Sequence, residues 1–207
     1  MKLIKRGAEA KLFLSKKDGQ KILIKDRIKK KYRISQIDEK IRKNRTSQEF
    51  NLLSEARRNG VPTPRILDVD KKNYKIIMEF IEGERIKELL NKSDKKTIEK
   101  LCFEIGKLIG KLHSAGLIHG DLTTSNMILK DEKIYFIDFG LGSFSKKIED
   151  QGTDLRLLHE ALKSTHYQIL DTSWKNIIKG YKSEHSKADM VMNRVSEIEK
   201  RARYMER

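Results

Sequence analysis

The chain has 207 residues, 37% of them hydrophobic, and a formal net charge of +16, which suits one large domain or a compact two-lobed one. No run of about eighteen apolar residues occurs, which excludes a membrane-spanning helix, and the Met1-Lys2-Leu3-Ile4-Lys5 start is expected to hold no signal-peptide core. The single cysteine, Cys102, excludes an internal disulfide or a cysteine-based zinc cluster and points to a reducing cytoplasm.

In chain order, the first third predicts strands. Leu3-Ile4-Lys5, Lys11-Leu12-Phe13-Leu14 and Lys21-Ile22-Leu23-Ile24-Lys25 are short apolar runs parted by Gly7 and by the turn Lys17-Asp18-Gly19. A helix is expected from Ser35 to Asn59, with Gly60 as its C-terminal cap. Val61-Pro62-Thr63-Pro64 holds both prolines and leads into two further strands, Ile66-Leu67-Asp68-Val69 and Tyr74 to Phe80. Five strands and one helix make a small twisted sheet with one covered face. From Glu84 onward the pattern turns helical: Ile98, Leu101, Cys102, Ile105, Leu108, Ile109 and Leu112 step by three and four, so a long amphipathic helix buries one side, with Cys102 in its core stripe. A hairpin follows, with strands Met127-Ile128-Leu129 and Ile134-Tyr135-Phe136-Ile137 about the turn Asp131-Glu132. Helices are then expected over Asp154–Thr165, Trp174–Tyr181 and Ser186–Arg203, the last ending in a basic tail, Lys200-Arg201-Ala202-Arg203. The fold class is therefore α+β. A β-rich lobe over 1–83 and an α-helical lobe over 84–207 meet near Glu79–Gly83 within one domain.

The charge is uneven. Residues 1–60 hold 19 Lys/Arg against 7 Asp/Glu, a surplus of 12 out of the chain's 16, densest at Lys25-Asp26-Arg27-Ile28-Lys29-Lys30-Lys31-Tyr32-Arg33. A field this one-sided favours a polyanionic partner, with RNA the leading candidate, although Tyr32 alone offers an aromatic surface there.

The chemistry lies in His119-Gly120-Asp121-Leu122-Thr123-Thr124-Ser125-Asn126, followed across the hairpin by Asp138-Phe139-Gly140. Phosphoryl transfer needs a carboxylate to orient the nucleophile, plus an amide oxygen and a second carboxylate for magnesium. Asp121, Asn126 and Asp138 supply these in that order, the last two as hard oxygen ligands for Mg²⁺. His119 reads as a packing and hydrogen-bonding prop. Lys25, ending the third strand, is placed to contact the α- and β-phosphates of ATP, with Glu49 the best-placed anion to hold it and Glu55 the alternative. Gly7-Ala8-Glu9-Ala10 reads as a shortened phosphate-covering loop or a plain hairpin turn. Met78-Glu79-Phe80-Ile81 is expected to be a hinge whose main-chain groups bind adenine, with Met78 at the back of the pocket. No proline follows Asp138, and only fifteen residues separate it from Asp154, leaving little chain for a peptide-docking segment. Asp154 is expected to open and cap its helix or to anchor the catalytic loop.

These motifs resemble the small atypical kinases of the KEOPS complex, which makes threonylcarbamoyl-adenosine on tRNA. The resemblance is carried by Arg45-Thr46…Glu49, Gly60-Val61-Pro62-Thr63-Pro64, Met78-Glu79-Phe80-Ile81-Glu82-Gly83, His119-Gly120-Asp121-Leu122-Thr123-Thr124-Ser125-Asn126 and Asp154-Leu155…Ser164-Thr165-His166, which together span most of the chain. It implies a minimal bilobal kinase-like fold without an extended activation segment, use of ATP and Mg²⁺, and possible autophosphorylation on serine or threonine. It also implies partnership with the catalytic and other KEOPS subunits, and contact of the basic tail with partner or tRNA. The tail departs from the familiar pattern, since Lys200-Arg201-Ala202-Arg203-Tyr204 lacks a glycine between its arginines. Two other functions compete: a small-molecule phosphotransferase of the aminoglycoside or choline kinase type, and a tRNA-binding scaffold with a vestigial ATP site.

Overall fold

The computed structural model describes the backbone of residues 1–205 and the side chains of residues 1–201. The elements run β1 (Lys2–Arg6), β2 (Ala10–Lys17), β3 (Gln20–Arg27), α1 (Ser35–Arg58), β4 (Ile66–Asp70), β5 (Lys75–Glu79), β6 (Glu84–Arg85), α2 (Ile86–Lys92), α3 (Lys95–Ser114), β7 (Leu117–Ile118), β8 (Met127–Lys130), β9 (Lys133–Phe136), β10 (Ser143–Phe144), α4 (Ile148–Thr165), α5 (Leu170–Glu184) and α6 (Ala188–Met205). The first five strands form one antiparallel sheet in the order β1-β2-β3-β5-β4. Its central hairpin closes through Asp18 and Gly19, both at positive φ, with Lys17 facing Gln20. That two-residue geometry matches the right-handed twist of the strands it joins. α1 ends as expected: Val61 N–H donates to Ala56 O at 3.0 Å and Gly60 N–H to Arg57 O at 3.2 Å, the paired closure of a helix C-terminus.

The second half is helical apart from two small sheets, β6-β8-β9 and β10-β7. The β8–β9 hairpin turns at Asp131-Glu132 as its sequence predicts. The stripe on α3 is buried throughout, from Ile98 to Leu112 and including Cys102. It packs on α5 at a backbone-to-backbone crossing: a Cβ on Gly106 would sit 1.9 Å from Ile177 O, and one on Gly180 would sit 2.0 Å from Phe103 O. Neither helix position tolerates a side chain.

Three expectations need correction. Residues Glu84 and Arg85 form a short strand before the helical region begins. α4 starts at Ile148, so Asp154 lies nearly two turns inside the helix and does not cap it. The start was hidden because Gln151-Gly152-Thr153 interrupts the apolar spacing, while Gln151 and Gly152 are in fact buried. α5 likewise begins at Leu170, four residues ahead of Trp174. The side chains of the basic tail from Ala202 onward lie outside the described residues.

Candidate active site

Lys25 and Arg27 alternate with Asp26 along β3, so both side chains leave the same face of the sheet, toward α1. Glu49, fully buried, rises between them from α1. Its Oε1 accepts from Lys25 Nζ at 2.6 Å and its Oε2 from Arg27 Nη2 at 2.5 Å. Lys25 Nζ also donates to Asp138 Oδ1 at 2.6 Å. Lys25, Arg27 and Glu49 therefore balance charge out of water, the condition under which such charges are tolerated, while the half-exposed Asp138 closes the network at the cleft edge. Burial alone would lower the pKa of Lys25, but Glu49 and Asp138 beside it raise it above the ordinary lysine value. Burial would raise Asp138, yet the Lys25 ammonium outweighs it and holds the carboxyl below the usual aspartate value. Both stay charged at neutral pH. Glu55 faces another side of α1 and pairs with Arg58 in solvent, so the choice between the two glutamates is settled by which helix face is buried. Arg27 is a site residue that the sequence reading missed; its period-two relation to Lys25 was the available signal.

The loop at His119 is held from below. Asp154 Oδ2 accepts from His119 N–H at 2.8 Å and its Oδ1 from Gly120 N–H at 2.9 Å, so of its two expected roles the anchor is the one found. Gly120 has φ +78°, and a Cβ there would sit 2.2 Å from Leu141 O. A larger residue would push the loop off the turn that follows Asp138. His119 is buried and packs at a tilt against Phe139, with ring centroids 4.5 Å apart. Its Nε2 lies 3.1 Å from Ile137 O, and Asp121 N–H donates to its Nδ1 at 3.2 Å. That pattern fits a neutral ring, and burial lowers its pKa accordingly. His119 is a prop. The Thr123-Thr124 pair gains a reason too: Thr124 Oγ1 lies 3.0 Å from His166 Nε2, whose other nitrogen lies 2.7 Å from Asn91 Oδ1.

Asn126 Nδ2 donates to Asp121 Oδ2 at 2.8 Å and to Asp121 O at 3.0 Å. Among the described residues, no protein donor reaches Asn126 Oδ1 or Asp138 Oδ2, because Lys25 and the Gly140 N–H both use Asp138 Oδ1. One amide oxygen and one carboxylate oxygen therefore remain available on the cleft wall, a donor set that fits a hard divalent cation. Asp138 itself holds φ at +65°, a left-handed backbone that costs a non-glycine residue about 1 kcal/mol and is maintained here by packing of buried Phe139 on His119.

The cleft has two joined parts, with Lys25 and Asp138 bordering both. The apolar part is lined by Leu12, Leu23, Met78, Glu79, Phe80, Ile81 and Asn126 among others. The polar part is lined by Gly7, Ala8, Glu9, Arg45, Asp121 and Leu141. All the residues predicted for the site thus converge, with one revision at the hinge. Glu79 N–H donates to Arg65 O at 2.9 Å and Phe80 N–H to Lys21 O at 3.3 Å, so these groups are taken up within the sheet. Among the described residues, the Ile81 N–H is the hinge donor with no backbone acceptor. The turn after Asp138 is short, with Gln48 Nε2 of α1 donating to Gly142 O at 2.6 Å.

Of the cations in the basic run and in the α1 segment that follows it, Lys30, Arg33, Arg42 and Arg45 engage neighbours within the same half, namely Ala8 O, Glu9 and Asp38. Lys29, Lys31, Lys40 and Lys43 remain exposed.

Comparison with known proteins gives a consistent picture. The RIO domain family profile matches residues 10–142. The KEOPS complex subunit Bud32 of Pyrococcus abyssi is 49% identical, the alignment covering 100% of this chain and 98% of that protein. A probable bifunctional tRNA threonylcarbamoyladenosine biosynthesis protein of Methanosarcina mazei is 45% identical over 98% of this chain, which spans only 35% of that longer protein. Among solved structures, the Rio2 kinase–ADP/Mg²⁺–phosphoaspartate complex from Chaetomium thermophilum has a TM-score of 0.66 at 14% identity, covering 100% of this chain and 72% of that one. The expected kinase-like α+β fold, a sheet-rich half followed by a helical half, is therefore confirmed.

Proposed function

The chain belongs to the RIO-domain family, and on that premise we propose that it is an Mg-ATP-dependent ATPase and atypical serine/threonine kinase of the KEOPS assembly, supporting threonylcarbamoyl-adenosine formation on tRNA. The observation that carries this reading is the meeting of Lys25, Glu49, Asp121, Asn126 and Asp138 in one cleft between a sheet and a helical half. Residues 1–83 and 84–207 would act as two lobes of a single domain, working in the cytoplasm. The apolar part accepts adenine against Met78, with the Ile81 N–H as donor. Lys25, held by Glu49, orients the α- and β-phosphates, while Gly7 and Ala8 cover them. Asn126 Oδ1 and Asp138 Oδ2 would hold Mg²⁺, which when bound neutralises charge on the phosphates. Asn126 fixes one oxygen of Asp121, leaving the other to accept a proton from an attacking hydroxyl or water. The exposed lysines near α1 and the basic tail supply the tRNA-facing charge.

Two features weigh against the competing functions. The intact, buried Lys25–Glu49 pair is more than a vestigial site requires. The relatives described above are a KEOPS subunit and tRNA threonylcarbamoyladenosine biosynthesis proteins, which favours that setting over a small-molecule acceptor. The test is ATP turnover by the purified chain with and without its partner subunit and tRNA, following free and protein-bound phosphate separately. Slow turnover that the partner stimulates and Asp138→Ala abolishes is expected; turnover unchanged in Asp138→Ala would overturn the site assignment.

A further inference from the structure

Arg45 lines the polar part of the cleft, and none of the roles above uses it. It lies one turn before Glu49 on α1, so both residues share the cleft-facing side of the helix. The two differ in circumstance. Lys25 and Arg27 reach the cleft buried and already matched by Glu49 and Asp138. The Arg45 side chain keeps 35% of its surface exposed, and its Nη1 lies 3.1 Å from Glu9 Oε2 on the covering turn. Glu9 does not depend on this pair, because Arg33 Nη2 donates to its other oxygen at 3.0 Å. Lys30 Nζ reaches Ala8 O on the same turn. Arg45 can therefore leave Glu9 without stranding a carboxylate, and a partly exposed ion pair of this kind is weak and easily exchanged.

The far end of the cleft defines what would replace Glu9. A nucleotide whose base lies against Met78 and Ile81 must run its phosphates past Lys25 and Asp138 into the part bordered by Asp121, Leu141, Glu9 and Arg45. Its outermost phosphate is the group that arrives there. A guanidinium suits that group, since its fork of donors matches phosphate oxygens.

We infer that Arg45 is a terminal-phosphate ligand, paired with Glu9 in the free protein and exchanging that carboxylate for the outermost phosphate of a bound nucleoside triphosphate. It thereby distinguishes triphosphate from diphosphate. This rests on the nucleotide-binding reading above, and the test separates the two. Calorimetry would compare Mg-ADP with a non-hydrolysable Mg-ATP analogue on the wild-type chain, Arg45→Ala and Arg45→Gln. The expected result is a loss of about tenfold in affinity for the triphosphate analogue, the size of one charge-assisted contact, with diphosphate affinity unchanged within about twofold. Equal loss of both nucleotides in both variants would make Arg45 structural, and no loss of either would make it a bystander; each result overturns the inference while leaving nucleotide binding intact. A wild-type chain that binds neither nucleotide would instead overturn the underlying reading.

Discussion

The loop His119–Asn126 hangs from buried groups, with two of its N–H donors on Asp154 and its histidine sealed between Phe139 and Ile137. The Gly7–Ala10 turn across the cleft is tied instead by Lys30, Arg33 and Arg45, whose contacts with Ala8 and Glu9 are open to water. Low dielectric strengthens the first set and makes any missing partner expensive; screening weakens the second and makes it exchangeable. The floor of the cleft thus holds the His119–Asn126 loop still, while its cover can respond to what enters.

Substitutions should divide along the same line. The largest effect is expected for Glu49→Ala, which leaves Lys25 and Arg27 buried without their shared anion and should lower unfolding free energy by about 3–5 kcal/mol in denaturant titrations. Asp154→Ala comes next: two backbone N–H groups lose their acceptor, at a cost of about 2–4 kcal/mol, and ATP turnover should fall with it. A loss below about 0.5 kcal/mol there would mean the loop is not held from beneath.

Below these lies a pH effect. Burial, then the neighbouring charges of His113 and Lys187, hold the His185 pKa down at about 4 against an ordinary 6.5. A histidine depressed in the fold takes up a proton more readily when unfolded. Its contribution is therefore fully present above pH 6.5 and is lost as pH falls toward about 4. Denaturant midpoints measured across that window should decline, and His185→Gln should flatten part of the slope. The smallest change belongs to the cover: Glu9→Gln should alter stability by less than about 1 kcal/mol, and less still at high salt.

Much of this was legible in the residues. Short apolar runs broken by Asp18-Gly19 and Gly60 marked the strands and the end of α1, because turn and cap chemistry is local. The spacing of Asp121, Asn126 and Asp138 marked the site, because the intervening hairpin is short and regular. What escaped depends on which side chain turns inward. Arg27 looked like one more cation in a basic run, although strand alternation puts it beside Lys25. Asp154 carried two readings, helix cap and loop anchor, and nothing local decides between them, since the loop it holds lies more than thirty residues earlier. Gly106 and Gly180 carry no local signal of their role, which is the close backbone crossing of α3 and α5.

The account depends on Asn126 and Asp138 presenting their free oxygens to one magnesium-bound triphosphate. Its most direct test is calorimetric titration of an ATP analogue, with and without Mg²⁺, into the wild-type chain and Asp138→Ala. Binding that requires magnesium in the wild type and loses that requirement, together with most of its strength, in the variant is predicted. Affinities that are identical in the two chains, or indifferent to magnesium in both, would contradict it.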